Sequence, residues 1–178
     1  ISSPTINENA GQQTADLSGI TVGPANEAGQ TLTITATSSK PSLIPDPTVN
    51  YTSPDATGTL TFTPVTNEFG TATVTVVVQD SGGTANGGVD SVTNTFTVTV
   101  NAVNHPPSFT KGTDQTVLED AGAQSVANWA TSISAGPANE SGQTVTFHAS
   151  NDNNSLFSVQ PAISASGTLT YTLAPNAN

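Results

Sequence analysis

Threonine alternates with valine and other apolar residues along several short stretches of this chain. The longest of these are residues 71–79 and 92–100, and shorter ones cover residues 31–35 and 59–63. Alternation with a period of two, carried by β-branched residues, predicts strands that lie half-buried in antiparallel sheets. We find no stretch with the period of 3.6 that a helix requires. The pattern therefore predicts an all-β fold and argues against a disordered Thr-rich stalk.

Turn residues separate the predicted strands. Residues 53–58 contain a Ser-Pro-Asp run, residues 80–83 read Asp-Ser-Gly-Gly, and residues 86–88 read Asn-Gly-Gly. About six or seven short strands in roughly 100 residues are typical of an immunoglobulin-like Greek-key β-sandwich. The apolar strand positions give the predicted core: Leu32, Ile34, Tyr51, Leu60, Phe62, Val74, Val76, Val78, Phe96, Val98 and Val100.

Three blocks of sequence occur twice and in the same order. They are residues 7–11, 23–31 and 58–63, which return as residues 118–122, 136–144 and 167–172. The repeat predicts two sandwich domains, residues 1–103 and 104–178. Within this sequence the second copy has no counterpart of residues 70–100. We therefore expect it to be incomplete, with an open sheet edge and a bare apolar face.

The charge balance excludes several classes of partner. Lysine and arginine total 2 against 13 aspartate and glutamate residues, which gives a formal net charge of −11. A nucleic-acid binder needs a cationic surface, and an anionic membrane surface would repel this chain, so we expect neither partner. We also expect no membrane insertion, since no apolar run approaches the roughly 20 residues of a membrane span. The absence of cysteine excludes disulfides and thiolate metal sites.

The segment that joins the two copies carries a family resemblance. It reads Asn-Ala-Val-Asn-His-Pro-Pro-Ser-Phe over residues 101–109, and its paired prolines predict a stiff linker. The chain resembles the cadherin-like and bacterial immunoglobulin-like repeats of large extracellular adhesins, whose linker reads Asp-x-Asn-Asp-Asn-x-Pro-x-Phe. Asn101 and Asn104 fall on the two acidic positions, whereas Pro107 and Phe109 match directly.

That resemblance implies calcium at the domain junctions. Its implied ligands are Glu8, Glu27, Glu68, Asp80, Asn101, Asn104, Glu119 and Glu140. Of these, Glu8, Glu68, Asn101, Asn104 and Glu140 are expected to serve the junction between the two copies, Glu27 and Asp80 would serve a preceding junction, and Glu119 is the counterpart of Glu8. Neutral Asn101 and Asn104, with Ala25 and Ala138 at a further acidic position of the family, imply weaker binding or fewer ions. The alternative is that these acids only keep the surface solvated.

Candidate catalytic groups are few, and we expect that the protein is not an enzyme. His105 lies in the linker and His148 is expected at a strand end, and two separated imidazoles form neither a zinc site nor a catalytic dyad. The single tryptophan, Trp129, is expected in the core of the second domain.

The sequence favours a structural segment of an extracellular surface protein, either an adhesin stalk or a fibre. Its expected partners are neighbouring repeats or copies of itself, and the adhesive target is not specified. One alternative is a filament subunit whose incomplete second domain is completed by strands from a neighbouring chain. Another is a carbohydrate-binding module, although no aromatic cluster favours it.

Overall fold

The computed structural model describes residues 1–177 and divides into two compact units. Unit 1 is Ile1–Val103 and unit 2 is Asn104–Asn178. Strands make up 41% of the chain. The helical segments in the described residues are 3-10 turns of three residues each. The prediction of an all-β chain is confirmed.

Unit 1 is built from two sheets. The first has four strands in the order β1-β7-β6-β3, with β1 (Thr5–Asn7), β3 (Leu32–Ser38), β6 (Gly70–Asp80) and β7 (Ser91–Asn101). Its pairs are antiparallel except for β1 and β7, which run parallel. The second sheet has three antiparallel strands in the order β2-β5-β4, with β2 (Gln13–Ser18), β4 (Thr48–Asn50) and β5 (Thr57–Phe62).

One apolar core joins the two sheets of unit 1, as in a β-sandwich. The alternation seen in the sequence becomes an alternation of burial: in β6, Ala72, Val74 and Val76 are buried, and the threonines between them are only half-buried. The predicted core residues are all buried except Tyr51 and Val78, which pack partly buried against the core.

The core of unit 1 also contains residues that the alternation does not reveal. Leu43 and Ile44 are fully buried, although they lie between β3 and β4 and outside any strand. Their backbone N–H groups both donate to the carbonyl of Lys40 at 3.0 Å, so a local turn presents both side chains to the core. A turn of this kind has no period of two, which is why the sequence pattern missed it.

Unit 2 repeats one of these sheets. Its strands are β8 (Ser108–Lys111), β9 (Ala123–Val126), β10 (Ala130–Ser134), β11 (Phe157–Ile163) and β12 (Leu169–Leu173). Strands β11, β12 and β9 form a three-stranded antiparallel sheet in that order, and β8 pairs with β10. By the sequence repeat, β11-β12-β9 corresponds to β4-β5-β2 of unit 1.

Two expectations for unit 2 were wrong. His148 lies in residues 144–150, which adopt no strand, rather than at a strand end. Trp129 is only partly buried, and its Nε1 donates to the carbonyl of Thr113 at 2.9 Å. Residues 144–150 pair with no strand among the residues described, so His148 has no strand to end. The expected bare apolar face is not seen at β12, where Leu169 and Tyr171 are buried.

Candidate functional site

The longest repeated block forms the same turn in both units. Residues Ala25–Glu27 and Ala138–Glu140 are 3-10 turns. In each, the N–H of the glutamate donates to the carbonyl of the proline three residues earlier at 2.9 Å, Glu27 to Pro24 and Glu140 to Pro137. The block is therefore a defined structural element that positions one glutamate in each unit.

The glycine that opens the block makes room for this glutamate. A Cβ placed on Gly23 would lie much closer than 3.0 Å to Glu27 Oε2 and would clash with it. A Cβ on Gly136 would clash with Glu140 Oε2 in the same way. Gly23 also has a φ of +108°, in the region that favours glycine. The carboxylate thus packs over the α-carbon of the glycine, which explains why glycine and glutamate recur together.

In unit 2 this glutamate holds the beginning of the unit. Glu140 Oε1 accepts a hydrogen bond from the backbone N–H of His105 at 2.8 Å, and His105 Nδ1 lies 2.9 Å from the same oxygen. Glu140 is buried, with 6% of its surface exposed, and His105 is half-buried. Glu140 Oε2 is buried and has no hydrogen-bond partner among residues 1–177.

The imidazole changes the acidity of this carboxyl group. The hydrogen bond from the His105 side chain, reinforced by the one from its backbone N–H, lowers the pKa of Glu140 below its ordinary value, although burial acts in the opposite direction. Glu140 is therefore ionised at neutral pH. The contact with His105 was not anticipated, since the sequence marked His105 only as a linker residue.

In unit 1 a different glutamate holds the end of the unit. Glu8 directly follows β1, and its backbone N–H donates to the carbonyl of Asn101 at 2.8 Å. Its side-chain Oε1 accepts from the backbone N–H of Val103 at 2.6 Å, and only 4% of its surface is exposed. Carboxylate hydrogen bonds of this kind are stronger than neutral ones. Glu8 thus fixes the last residues of unit 1.

Glu8 and Glu140 therefore have a common role. Each is a buried carboxylate that accepts a backbone N–H of the linker, one from Val103 and one from His105, and these positions are two residues apart in the sequence. We use the name linker anchors for these two hydrogen-bonded pairs: Glu8 with the N–H of Val103, and Glu140 with the N–H of His105. Each unit holds its own end of the linker by one anchor.

The asparagines of the linker have separate partners within their own units. Asn101 is exposed and its Nδ2 lies 3.5 Å from Asn7 Oδ1. Asn104 Oδ1 accepts from Gln143 Nε2 at 3.0 Å, three residues after Glu140 in the same unit. Asn104 is thus linked to the turn that carries Glu140.

The remaining implied calcium ligands lie elsewhere. Glu68 and Glu119 are exposed. Glu27 is half-buried, and Asp80 Oδ1 accepts from the N–H of Gly82 at 2.7 Å. Glu119 corresponds to Glu8 in the repeat, but it is solvated where Glu8 is buried.

The donor set fits calcium only in part. Calcium requires six to eight oxygen ligands, whereas imidazole nitrogen is a ligand of zinc and copper. In unit 2, His105 engages Glu140 Oε1, and the oxygen that remains is Glu140 Oε2, buried and without a hydrogen bond in the described part of the chain. A buried carboxylate oxygen without a partner is costly, and a cation would satisfy it.

No family model, curated protein or solved structure matches this chain. Among the described residues, no helix is long and apolar enough to cross a membrane.

Proposed function

We propose that this chain is a structural repeat segment of an extracellular surface protein, part of an adhesin stalk or fibre, built from immunoglobulin-like, cadherin-like Greek-key domains. The observation that carries this proposal is the repetition itself. The same three-stranded sheet and the same glutamate-bearing turn occur in two successive units of one chain. Units that repeat in tandem extend the reach of a protein, and a sequence with only 8% charged residues suits that role.

The linker anchors support a stiff linker in the proposed stalk or fibre. A hydrogen bond to an ionised carboxylate contributes about 1.5–3 kcal/mol, so each anchor resists detachment of the linker from its unit. Pro106 and Pro107 restrict the linker further, because each fixes its own φ and restricts the residue before it. A segment with these properties behaves as a stiff spacer rather than as a flexible tether.

Calcium is the proposed accessory ion. Its proposed ligand is Glu140 Oε2 of unit 2, which is buried and has no hydrogen-bond partner in the described part of the chain. When bound, the ion would neutralise buried carboxylate charge and oppose the opening of the anchors. With neutral Asn101 and Asn104 in place of acids, the affinity belongs in the weak range of extracellular calcium modules, a Kd on the order of 0.1–1 mM.

Calcium titration tests this accessory role. Calorimetry should detect binding in the millimolar range, and calcium at ten times its Kd should stabilise the chain by about 1.4 kcal/mol against thermal unfolding. Glu140→Gln should weaken binding, whereas Asp152→Asn, at an exposed acid of unit 2 outside the implied ligands, is the control and should not. If no heat is detected and chelator leaves the melting temperature unchanged, hydrogen bonds alone hold the anchors and the calcium proposal is wrong.

Surface labelling tests the extracellular assignment. Antibodies raised against the 178-residue chain should label intact cells of the organism that produces it, and protease added outside the cells should remove the label. Labelling that requires permeabilised cells would contradict the assignment. That result would leave the calcium titration unaffected, so the two parts of the proposal are tested separately.

A further inference from the structure

The turn between β6 and β7 is exposed along its whole length. Residues 81–89 are all exposed, and the N–H of Asp80 donates to the carbonyl of Asp90 at 2.8 Å where the two strands meet the turn. Within the turn, Ala85–Gly87 form a short 3-10 segment. Water therefore reaches the backbone of this turn as well as its side chains.

This turn contains an Asn-Gly pair, Asn86 and Gly87, and the sequence has no other. Asn86 is in the left-handed region with a φ of +56°, and Gly87 follows with a φ of +80°. A Cβ built on Gly87 would meet nothing within 4 Å. The backbone nitrogen that follows Asn86 is therefore crowded neither by a side chain of its own residue nor by packed neighbours.

The side-chain amide of Asn86 is also free to rotate, because it makes no hydrogen bond among the residues that the structure describes. Asn67 provides a contrast at a similar φ of +58°. Its Oδ1 accepts from Asn9 Nδ2 at 3.0 Å, and its backbone N–H donates to Asn9 Oδ1 at 2.9 Å. Rotation of the Asn67 amide would break a hydrogen bond, whereas rotation of the Asn86 amide breaks none.

We propose that Asn86 is a site of spontaneous deamidation. The backbone nitrogen of Gly87 loses its proton to solvent and attacks Cγ of Asn86, which forms a C–N bond. The side-chain nitrogen takes up a proton and leaves as ammonia. The succinimide ring then adds one water molecule, and opening of either of its C–N bonds gives aspartate or isoaspartate at position 86. The reaction consumes only water, and it is a property of this chain beyond the proposed function.

The reaction changes the charge of the turn without touching the core. It replaces a neutral amide by a carboxylate between Asp80 and Asp90, in a chain whose formal net charge is already −11. The buried positions of β6 and β7 lie outside residues 81–89. The products should therefore keep the sandwich and separate from the starting chain on an anion exchanger as more acidic species.

Mass spectrometry of peptides from the aged 178-residue chain tests the proposal. Residue 86 should gain about 1 Da as its amide becomes a carboxylate, and should appear in both aspartate and isoaspartate forms. The gain should be faster in mildly alkaline than in neutral buffer, because the nitrogen of Gly87 must lose a proton. Asn67 in the same sample is the internal control and should change much more slowly. Conversion of Asn67 as fast as Asn86, or no conversion at Asn86, would overturn the proposal.

The variant Gly87→Ala tests the role of the following residue. Its Cβ crowds the attacking nitrogen, and conversion of Asn86 should slow at least about tenfold, which corresponds to a rise of about 1.4 kcal/mol in activation free energy. An unchanged rate would overturn the cyclic route.

Hydroxylamine gives a second test that does not depend on the fold of Gly87→Ala. It attacks the succinimide and should cleave the wild-type chain between Asn86 and Gly87. Asn86→Asp is the matched control, because aspartate tolerates a positive φ as asparagine does but has no amide to lose, and it should stay intact. An intact wild type, or equal cleavage of both chains, would overturn the proposal. These readouts depend neither on calcium nor on cell-surface labelling, so failure here is separable from failure of the proposed function.

Discussion

Removing the carboxylate of Glu8 should detach the last residues of unit 1 from its core. In Glu8→Ala, the N–H of Val103 loses an acceptor that now lies 2.6 Å away in a site with 4% exposure. A hydrogen bond to a charged group contributes about 1.5–3 kcal/mol. For a unit of this size, that loss corresponds to a drop in melting temperature of about 6–15 °C. Glu8→Gln keeps an acceptor oxygen without the charge and should lose roughly half as much.

Two measurements on the 178-residue chain check this prediction. Thermal unfolding followed by circular dichroism gives the melting temperatures, and amide exchange followed by NMR reports on Val103 itself. The matched control is Glu119→Ala, because Glu119 is the sequence counterpart of Glu8 but is exposed, and it should change stability by less than about 0.5 kcal/mol. Equal losses in Glu8→Ala and Glu119→Ala, or unchanged exchange at Val103, would refute the anchoring role of Glu8.

The remaining predictions concern packing and acidity. Gly23→Ala should destabilise unit 1 by about 1–3 kcal/mol in urea unfolding, because its φ of +108° is strained for alanine and the new Cβ meets a carboxylate, whereas Gly29→Ala meets open space and should be nearly neutral. Leu60→Ala should cost about 2–5 kcal/mol since Leu60 is fully buried, and Val89→Ala, at 82% exposure, should have little effect in the same urea titration. Because the pKa of Glu140 is lowered in the folded chain, its ionised form stabilises the fold. This stabilisation is fully present above pH 4.5, the ordinary pKa, and is lost as the pH falls below that value. Melting temperatures of the wild type and Glu140→Gln should therefore converge in acid, and a constant difference down to pH 3 would contradict the pKa shift.

Much of unit 1 was predictable because its strands carry a local signature. Alternation of threonine and valine identified the longest strands, β6 and β7, and their buried positions. Burial of every second side chain is a consequence of strand geometry, so period, face and core follow from one pattern. The pattern did not predict Leu43 and Ile44 as core residues, because a turn places both in the core and a turn has no repeating period.

The candidate site was predictable only in its residue types. The repeat singled out Glu8 and Glu140, but not that each accepts a backbone N–H, nor that His105 contacts Glu140. Glu8 and Glu119 occupy equivalent positions in sequence, and one is buried while the other is exposed. Burial and hydrogen bonding are properties of the surroundings that a side chain meets after folding, and equivalent sequence positions need not meet equivalent surroundings.

In residues 144–150 the sequence pattern alone does not decide the secondary structure. By itself the sequence determined the strand pattern there, the repeat that contains it and the apolar face that should be buried. Only the tertiary structure decided that Leu32–Ser38 is a strand while its counterpart in unit 2 is not. A helix satisfies its backbone hydrogen bonds within its own residues, but a strand takes them from another segment. The same pattern is therefore a strand beside β6 and an unpaired segment where, among the residues described, no such neighbour lies.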